Sequence, residues 1–210
     1  MKLCIIPMKP LAHAKARLAP VLSPDDRRAL CLAMLRDVVR AAGALDAVWV
    51  LNSDEEAASV AREEGAEARP DPAPGEGLNA SLDAATWMAT EEGARGVLVL
   101  SADCPAATRA DVKAVAIGDG VVMAPDRYGM GTNALWRSPP GVIQTSFGGN
   151  SRRSHTALAH VHHVPFAVMP LPRLALDVDR PADLDDVWSV GPGDETRAAL
   201  ERLGYPSRRR

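Results

Sequence analysis

Short apolar runs rich in leucine and β-branched residues alternate along the chain with longer stretches whose apolar positions recur every three to four residues. The runs Leu3 to Pro7, Ala47 to Leu51, Val97 to Leu100, Val121 to Ala124 and Val164 to Met169 predict strands. Val97 to Leu100 lacks polar alternation, the pattern of a strand covered on both faces. Between the first two runs, Ser23, Pro24, Asp25 and Asp26 mark a helix start: a hydroxyl cap, a proline at the first helical position, and acids against the positive dipole end. Leu30, Met34, Leu35, Val38 and Ala42 then line one face. Further helices are predicted from Glu55 to Glu64, ending at Gly65, from Leu78 to Glu92, stopped by Gly93, and from Pro181 to Val187. This alternation predicts an α/β fold with a parallel sheet and right-handed crossovers. The second half has fewer helix signals and more Gly and Pro, so it is expected to extend the same sheet as a mixed one. A single domain over residues 1–206 is expected, with Ser207 to Arg210 a frayed tail.

Composition narrows the function classes. A chain of 210 residues, 47% hydrophobic and 24% charged, can bury one sizeable core and is not a disordered one. Lys plus Arg number 24 against 27 Asp plus Glu, which leaves no net basic field for a nucleic-acid backbone or an anionic membrane. No apolar stretch is long enough to span a bilayer, and Leu3 to Pro7 is too short for a signal-peptide core, so the chain is read as cytoplasmic. Cys4, Cys31 and Cys104 are far apart and form no CxxC pattern, which argues against a disulfide framework and a zinc cage. Homo-oligomerisation is left open.

In an open parallel sheet the ligand sits beyond the carboxyl ends of the strands, so the segments following each run are the informative ones. Pro7 to Leu18 carries Lys9, Lys15 and Arg17, cations suited to phosphate oxygens, although no P-loop pattern is present. Asp103, in Ser101-Ala102-Asp103-Cys104-Pro105, puts a carboxylate where a magnesium ion would fit. Asp177 and Asp179 lie on one side of an extended segment; one of them could complete that site, while Asp179 could instead serve as an acid at the start of the helix at Pro181. Gly75 to Ala80 and Gly129 to Ala134 both match Gly-x-Gly-x-x-Ala without the strand-turn-helix context of a dinucleotide fingerprint, and read as loops of close ligand approach. Phe147 to Arg153 is either a seat for an anionic small molecule or an ordinary surface turn. His160, His162 and His163 have no companion motif, and in an extended segment His162 and His163 diverge, so no metal is assigned to them.

Ile5 to Pro10 with Lys15 to Leu18, Gly77-Leu78-Asn79, Ser101 to Pro105, Ala124 to Arg127 with Gly131 to Leu135, and Leu176 to Leu184 together resemble the 2-phospho-L-lactate guanylyltransferase family of coenzyme F-420 biosynthesis. The likeness runs from Leu3 to about Val187 in the family's order. It implies a nucleotide-diphospho-sugar transferase-like (Rossmann-like) three-layer fold, GTP as donor, Mg2+ as cofactor, and 2-phospho-L-lactate, phosphoenolpyruvate or 3-phospho-D-glycerate as the phosphorylated carboxylic acid that accepts GMP. It further implies that Thr132, Gly148 and Ser151 hold the acceptor and that Asp103 and Asp177 bind the metal. Lys9, Lys15 and Arg17 would then neutralise the β- and γ-phosphates, and Gly77, Leu78 and Asn79 would lie by the base or ribose. Where the family reads Phe-Gly-Pro-Gly-Ser this chain has Phe147-Gly148-Gly149-Asn150-Ser151, a change within the acceptor loop. Rival readings are a nucleotidyltransferase of the same fold with another base or acceptor, such as a cytidylyltransferase or a molybdenum-cofactor guanylyltransferase, and a non-catalytic nucleotide-binding module.

Overall fold

The computed structural model describes residues 1–205; the expected tail at Ser207 to Arg210 lies outside them. Seven strands form one sheet: β1 (Lys2–Pro7), β2 (Ala47–Asn52), β3 (Glu67–Pro70), β4 (Gly96–Leu100), β5 (Gly120–Pro125), β6 (Thr132–Ser138) and β7 (Phe166–Val168). The helices are α1 (Pro24–Ala42), α2 (Glu55–Glu63), α3 (Leu78–Glu91), α4 (Arg109–Val115), α5 (Ser151–Val161), α6 (Pro181–Val190) and α7 (Asp194–Arg202). Two 3-10 turns, Leu11–His13 and Ala16–Leu18, occupy the basic segment after β1. No helix among the described residues is long and apolar enough to cross a membrane.

Strand order is β3-β2-β1-β4-β6-β5-β7, parallel except for β6, which runs antiparallel to both its neighbours. The mixed sheet is thus the expected one, and its single reversed strand is the one that matters for chemistry. Because β6 runs backwards, its first residues lie beside the carboxyl end of β4, where Leu100 faces Ala134 and the Ser101 amide donates to the Asn133 carbonyl. The chain's direction of growth also reverses here: β2 and β3 extend from one side of β1, whereas β4 lies on the other. That makes the β1/β4 crevice the place where such sheets bind ligands.

Side-chain alternation along the strands builds three layers. Cys4, Ile6, Val50, Leu98 and Leu100 face α1, α2 and α4, while Leu3, Ile5, Leu51, Val97 and Val99 face α3 and α5. A third apolar cluster joins Leu11, Ala14 and Leu18 to α1, α6 and α7, so the basic segment is fastened to the body by its own leucines. At the α1 start, Ser23 caps the helix and Pro24 sits in its first turn as the sequence marks, and Asp26 goes further by closing a capping box with Ser23.

Several elements depart from expectation. β3 is a four-residue edge strand, Glu67-Ala68-Arg69-Pro70, too short and polar to show a period. Helices α4, α5 and α7 were not predicted. The first has only seven residues; α5 starts at Asn150 in a left-handed conformation with no acid in its first turn and with Arg152 and Arg153 against the dipole, the reverse of a readable start. The segment from Phe147 to Arg153 is a surface turn only over Gly148 to Asn150; from Ser151, which is buried, it opens a helix. His160 likewise sits in the last helical turn, so the extended reading of that cluster is replaced by a helical one.

Gly96 opens β4 directly beneath the Trp136 ring of β6, where an added β-carbon would overlap the indole. Gly96→Ala is therefore expected to destabilise the fold by about 1–3 kcal/mol, as overpacked core substitutions do. Denaturant midpoints check this; an unchanged midpoint would contradict the packing described.

Candidate active site

A cleft of about 830 Å³ opens at the carboxyl ends of β1, β2 and β4, within the range of small-ligand sites. Lys9, Lys15 and Arg17 wall one side, Gly75, Gly77 and Leu78 another, and Asp103 and Asp179 close it. Lys15 takes a left-handed backbone conformation (φ 53°), uncommon for a residue with a side chain, and this turn is part of what sends its ammonium inward. Nζ donates to Asp103 Oδ2 at 2.6 Å and to Asp179 Oδ1 at 2.9 Å, while Arg17 Nη1 reaches Asp179 Oδ2 at 3.1 Å. Burial works against the Lys15 charge, but Asp103 and Asp179 outweigh it and hold the ammonium well above its ordinary value. For Asp179 burial pulls upward, and Lys15, joined by Arg17 and Lys9, brings the net direction down. Of the two readings open for Asp179, its carboxylate follows the cations. The cap of α6 is made instead by Asp183, which accepts from the amides of Asp179 and Arg180.

Asp177 joins the same cluster from the strand side. Its Oδ1 accepts from Asn133 Nδ2 at 3.1 Å, and the same amide donates to the Leu174 carbonyl at 2.8 Å. Burial raises the Asp177 carboxyl, the Asn133 hydrogen bond opposes, and the neighbouring charges of Asp103 and Asp179 push it further up. The Val178 amide donates to the Asp103 carbonyl at 3.0 Å, which stitches together two acidic segments 75 residues apart in the chain. Asp103 and Asp179 thus meet at the cleft with Lys15 between them, and Asp177 lies near enough to feel both charges but is not part of the cleft lining.

The side chains expected to hold an acceptor form a second cluster on the opposite face of β6. A β-bulge against β5 at Ala124/Pro125 interrupts the alternation of β6, so Thr132 turns toward His155 of α5 although Ala134, two residues on, packs on the α1 side. Ser151 Oγ lies 3.0 Å from Thr132 Oγ1, and Gly148, at φ 138°, bends the segment that leads into α5. These three are brought together, but they do not line the cleft occupied by the basic segment. Asn79 links the two regions: its side chain exchanges hydrogen bonds with both backbone groups of Phe147, at 2.7 and 3.0 Å. Its amide is therefore committed to the Phe147 segment, while Gly77 and Leu78 face the cleft.

Sequence reading missed His155, whose ring is fully buried between these groups. Nδ1 is 3.2 Å from Thr132 Oγ1, and Nε2 accepts from the Ser146 amide at 2.9 Å. The signal that could have found it is the four-residue spacing from Ser151, visible only once this stretch is taken as helical. Burial, helped by the Arg137 guanidinium, pushes the imidazole from 6.5 down to about 4. Arg137 is itself buried and donates to Thr86 Oγ1 at 2.6 Å and to the Ile143 carbonyl at 3.0 Å.

The depressed value has a defined consequence for stability. The folded ring stays neutral where the unfolded ring takes up a proton, so this group's contribution is intact above about pH 6.5 and declines as pH falls toward about 4. Over that window the loss amounts to roughly 3 kcal/mol. Unfolding of the parent and of His155→Gln across the same window checks it: the parent should lose stability more steeply by that amount, and equal slopes would contradict the neutral ring.

Comparison with known proteins bears on what such a site does. The model of a family described as guanylyl transferase CofC like matches residues 1–209. A phosphoenolpyruvate guanylyltransferase of Rubrobacter xylanophilus is 41% identical over 194 residues, 89% of this chain and 93% of its own length. The phosphoenolpyruvate guanylyltransferase of Sphaerobacter thermophilus is 36% identical over 196 residues, 90% of this chain and 94% of its own. Among solved structures, a protein of Desulfovibrio desulfuricans G20 provisionally assigned as a nucleotide-diphospho-sugar transferase superposes with a TM-score of 0.78 at 14% identity, covering 97% of this chain and 95% of that one. CMP:2-keto-3-deoxy-manno-octonic acid synthetase, complexed with CTP, gives a TM-score of 0.56 at 14% identity over 95% of this chain and 99% of that one, a likeness of fold. With a three-layer fold of the nucleotide-diphospho-sugar transferase type and a family match along nearly its whole length, the chain belongs to the CofC-like guanylyl transferases and is a nucleotidyltransferase.

Proposed function

We propose that the protein transfers GMP from GTP to a small phosphorylated carboxylic acid with release of pyrophosphate, in the biosynthesis of coenzyme F-420. Of the three acceptors implied by the sequence, phosphoenolpyruvate is the one that the names of the curated relatives support. The observation that carries this reading is the convergence of Lys9, Lys15, Arg17, Asp103 and Asp179 on one cleft, with the uncapped start of α3 at Gly77 opposite. Backbone amides at that helix start and the basic segment suit a polyphosphate.

In this reading an oxygen of the acceptor phosphate attacks the α-phosphorus of GTP, the new P–O bond forms, and the bond to the departing pyrophosphate breaks. The nucleophile is already anionic and no general base is required, so catalysis reduces to positioning and charge compensation. Lys9 and Arg17, at the rim, would meet the β- and γ-phosphates. Lys15 would share its charge between Asp103 and the leaving group. Thr132, Gly148 and Ser151 would hold the acceptor on the other side of β6.

The cluster suits magnesium. Its donors are hard oxygens, and burial together with the neighbouring charges of Asp103 and Asp179 raises Asp177, a cost that a divalent cation would offset. Among the described residues no group of three or more His, Cys, Asp or Glu side chains is arranged to hold a metal by itself, and magnesium, which keeps waters and substrate phosphates, does not need one. Asp103 and Asp177 would hold it, and when bound it would supply charge neutralisation between two anionic substrates.

Pyrophosphate release from GTP or CTP with each of the three phospho-acids tests the reading. Release is expected with GTP and a phospho-acid together; release with CTP alone among the nucleotides, or none with any pair, would overturn it. Asp103→Asn should lower turnover at least ~100-fold with an unchanged circular dichroism spectrum; near-parental magnesium-dependent turnover would remove Asp103 from the metal site. Ser151→Ala should raise the acceptor KM several-fold, about one hydrogen bond's worth, and leave that of GTP in place. An equal rise in both would move Ser151 out of the acceptor site.

A further inference from the structure

His155 carries no role in the reaction as written, yet its surroundings leave it a single arrangement of protons. The Ser146 amide can only donate, so Nε2, 2.9 Å away, must be bare. The one proton of a neutral ring then sits on Nδ1 and points at Thr132 Oγ1, 3.2 Å away. That oxygen also receives the Ser151 hydroxyl at 3.0 Å, and its own proton is left for Met123 Sδ at 3.3 Å. Phe147 presents an edge-on contact to the imidazole, with ring centroids 5.1 Å apart at 73°. One buried ring therefore fastens the start of β6, the Ser146 to Gly148 segment and the first turn of α5, the three pieces of chain that supply Thr132, Gly148 and Ser151.

We propose that His155, held as the Nδ1–H tautomer, is the positioning residue of the acceptor subsite: it keeps Thr132 Oγ1 supplied with a donor so that the Ser151 hydroxyl is free to turn toward the phospho-acid. The inference rests on the functional reading above. Its physical content is an exchange of partners. When Ser151 gives its hydrogen bond to an anion, Thr132 Oγ1 in a dry interior would lose its donor, a loss that costs free energy unless another group fills it. The imidazole fills it without moving. A charged ring could not, because a proton on Nε2 would face the Ser146 amide hydrogen.

Two substitutions separate positioning from bulk. His155→Phe keeps a ring against Phe147 and removes both nitrogens; His155→Asn keeps a nitrogen donor close to the place of Nδ1. The acceptor KM, measured with phosphoenolpyruvate, should rise about tenfold in His155→Phe and return most of the way in His155→Asn, with the KM for GTP unchanged in both. KM values for GTP and acceptor that rise together, or an acceptor KM unaffected by His155→Phe, would overturn the inference while the parental activity leaves the functional reading standing. A parental protein that transfers guanylate to none of the phospho-acids would overturn both. Nitrogen-15 spectra of the imidazole in the parental protein give an arm independent of turnover: a protonated Nδ1 and no titration near neutral pH are expected, and an Nε2–H tautomer overturns the inference whatever the kinetics show.

Discussion

The ammonium of Lys15 is the point on which the site depends. It lies in a part-buried position, 11% exposed, between the carboxylates of Asp103 and Asp179, which arrive from segments 88 and 164 residues away along the chain. With Asp177 close by, this corner gathers three acidic side chains, and like charges so placed repel unless a cation stands among them. The basic segment after β1 folds back over the strand end after β4 and the segment before α6, and its charge adds to the Val178-to-Asp103 backbone hydrogen bond in letting them share one mouth. Leu11, Ala14 and Leu18 hold that segment down on α1, so apolar burial positions the charge and the charge positions the carboxylates.

A second constraint is the reversal of β6. Its opening residues meet the end of β4, and the bulge against β5 leaves Thr132 and Asn133 on opposite faces although their Cα atoms are only about 3.8 Å apart. Asn133 serves the carboxylate cluster through Asp177, and Thr132 serves the hydroxyl cluster with Ser151 and His155. Two chemically different environments, one charged and one neutral, thereby sit on either side of a single strand.

Much of this was legible before any coordinates, and the reasons differ by element. Strands β1, β2 and β4 are continuous apolar runs, and α1 announces itself through Ser23, Pro24 and Asp26; each is specified locally. Asp103 and the cations Lys9, Lys15 and Arg17 were found because they follow strands whose ends define a ligand site. What could not be read was partnership at long range: that Lys15 would spend its charge on Asp103 and Asp179, or that Asn79 would tie itself to Phe147. The helix α5 was hidden for a local reason. Asn150 in a left-handed conformation and two arginines in the first turn contradict the usual start signals, and His155 disappeared with the helix that carries it. Local cues fail at this stretch, which carries the proposed acceptor contacts, and functional stretches are where departures from generic helix rules are expected.

The clamp itself is open to direct measurement by carbon-13 titration of the Asp179 carboxyl in the parental protein and in Lys15→Met. Asp179 should titrate below the ordinary carboxylate range in the parent and move upward in the variant, where its burial is no longer opposed by the ammonium. A carboxyl that titrates at its ordinary value in the parent, and stays there when Lys15 is replaced, would contradict the account.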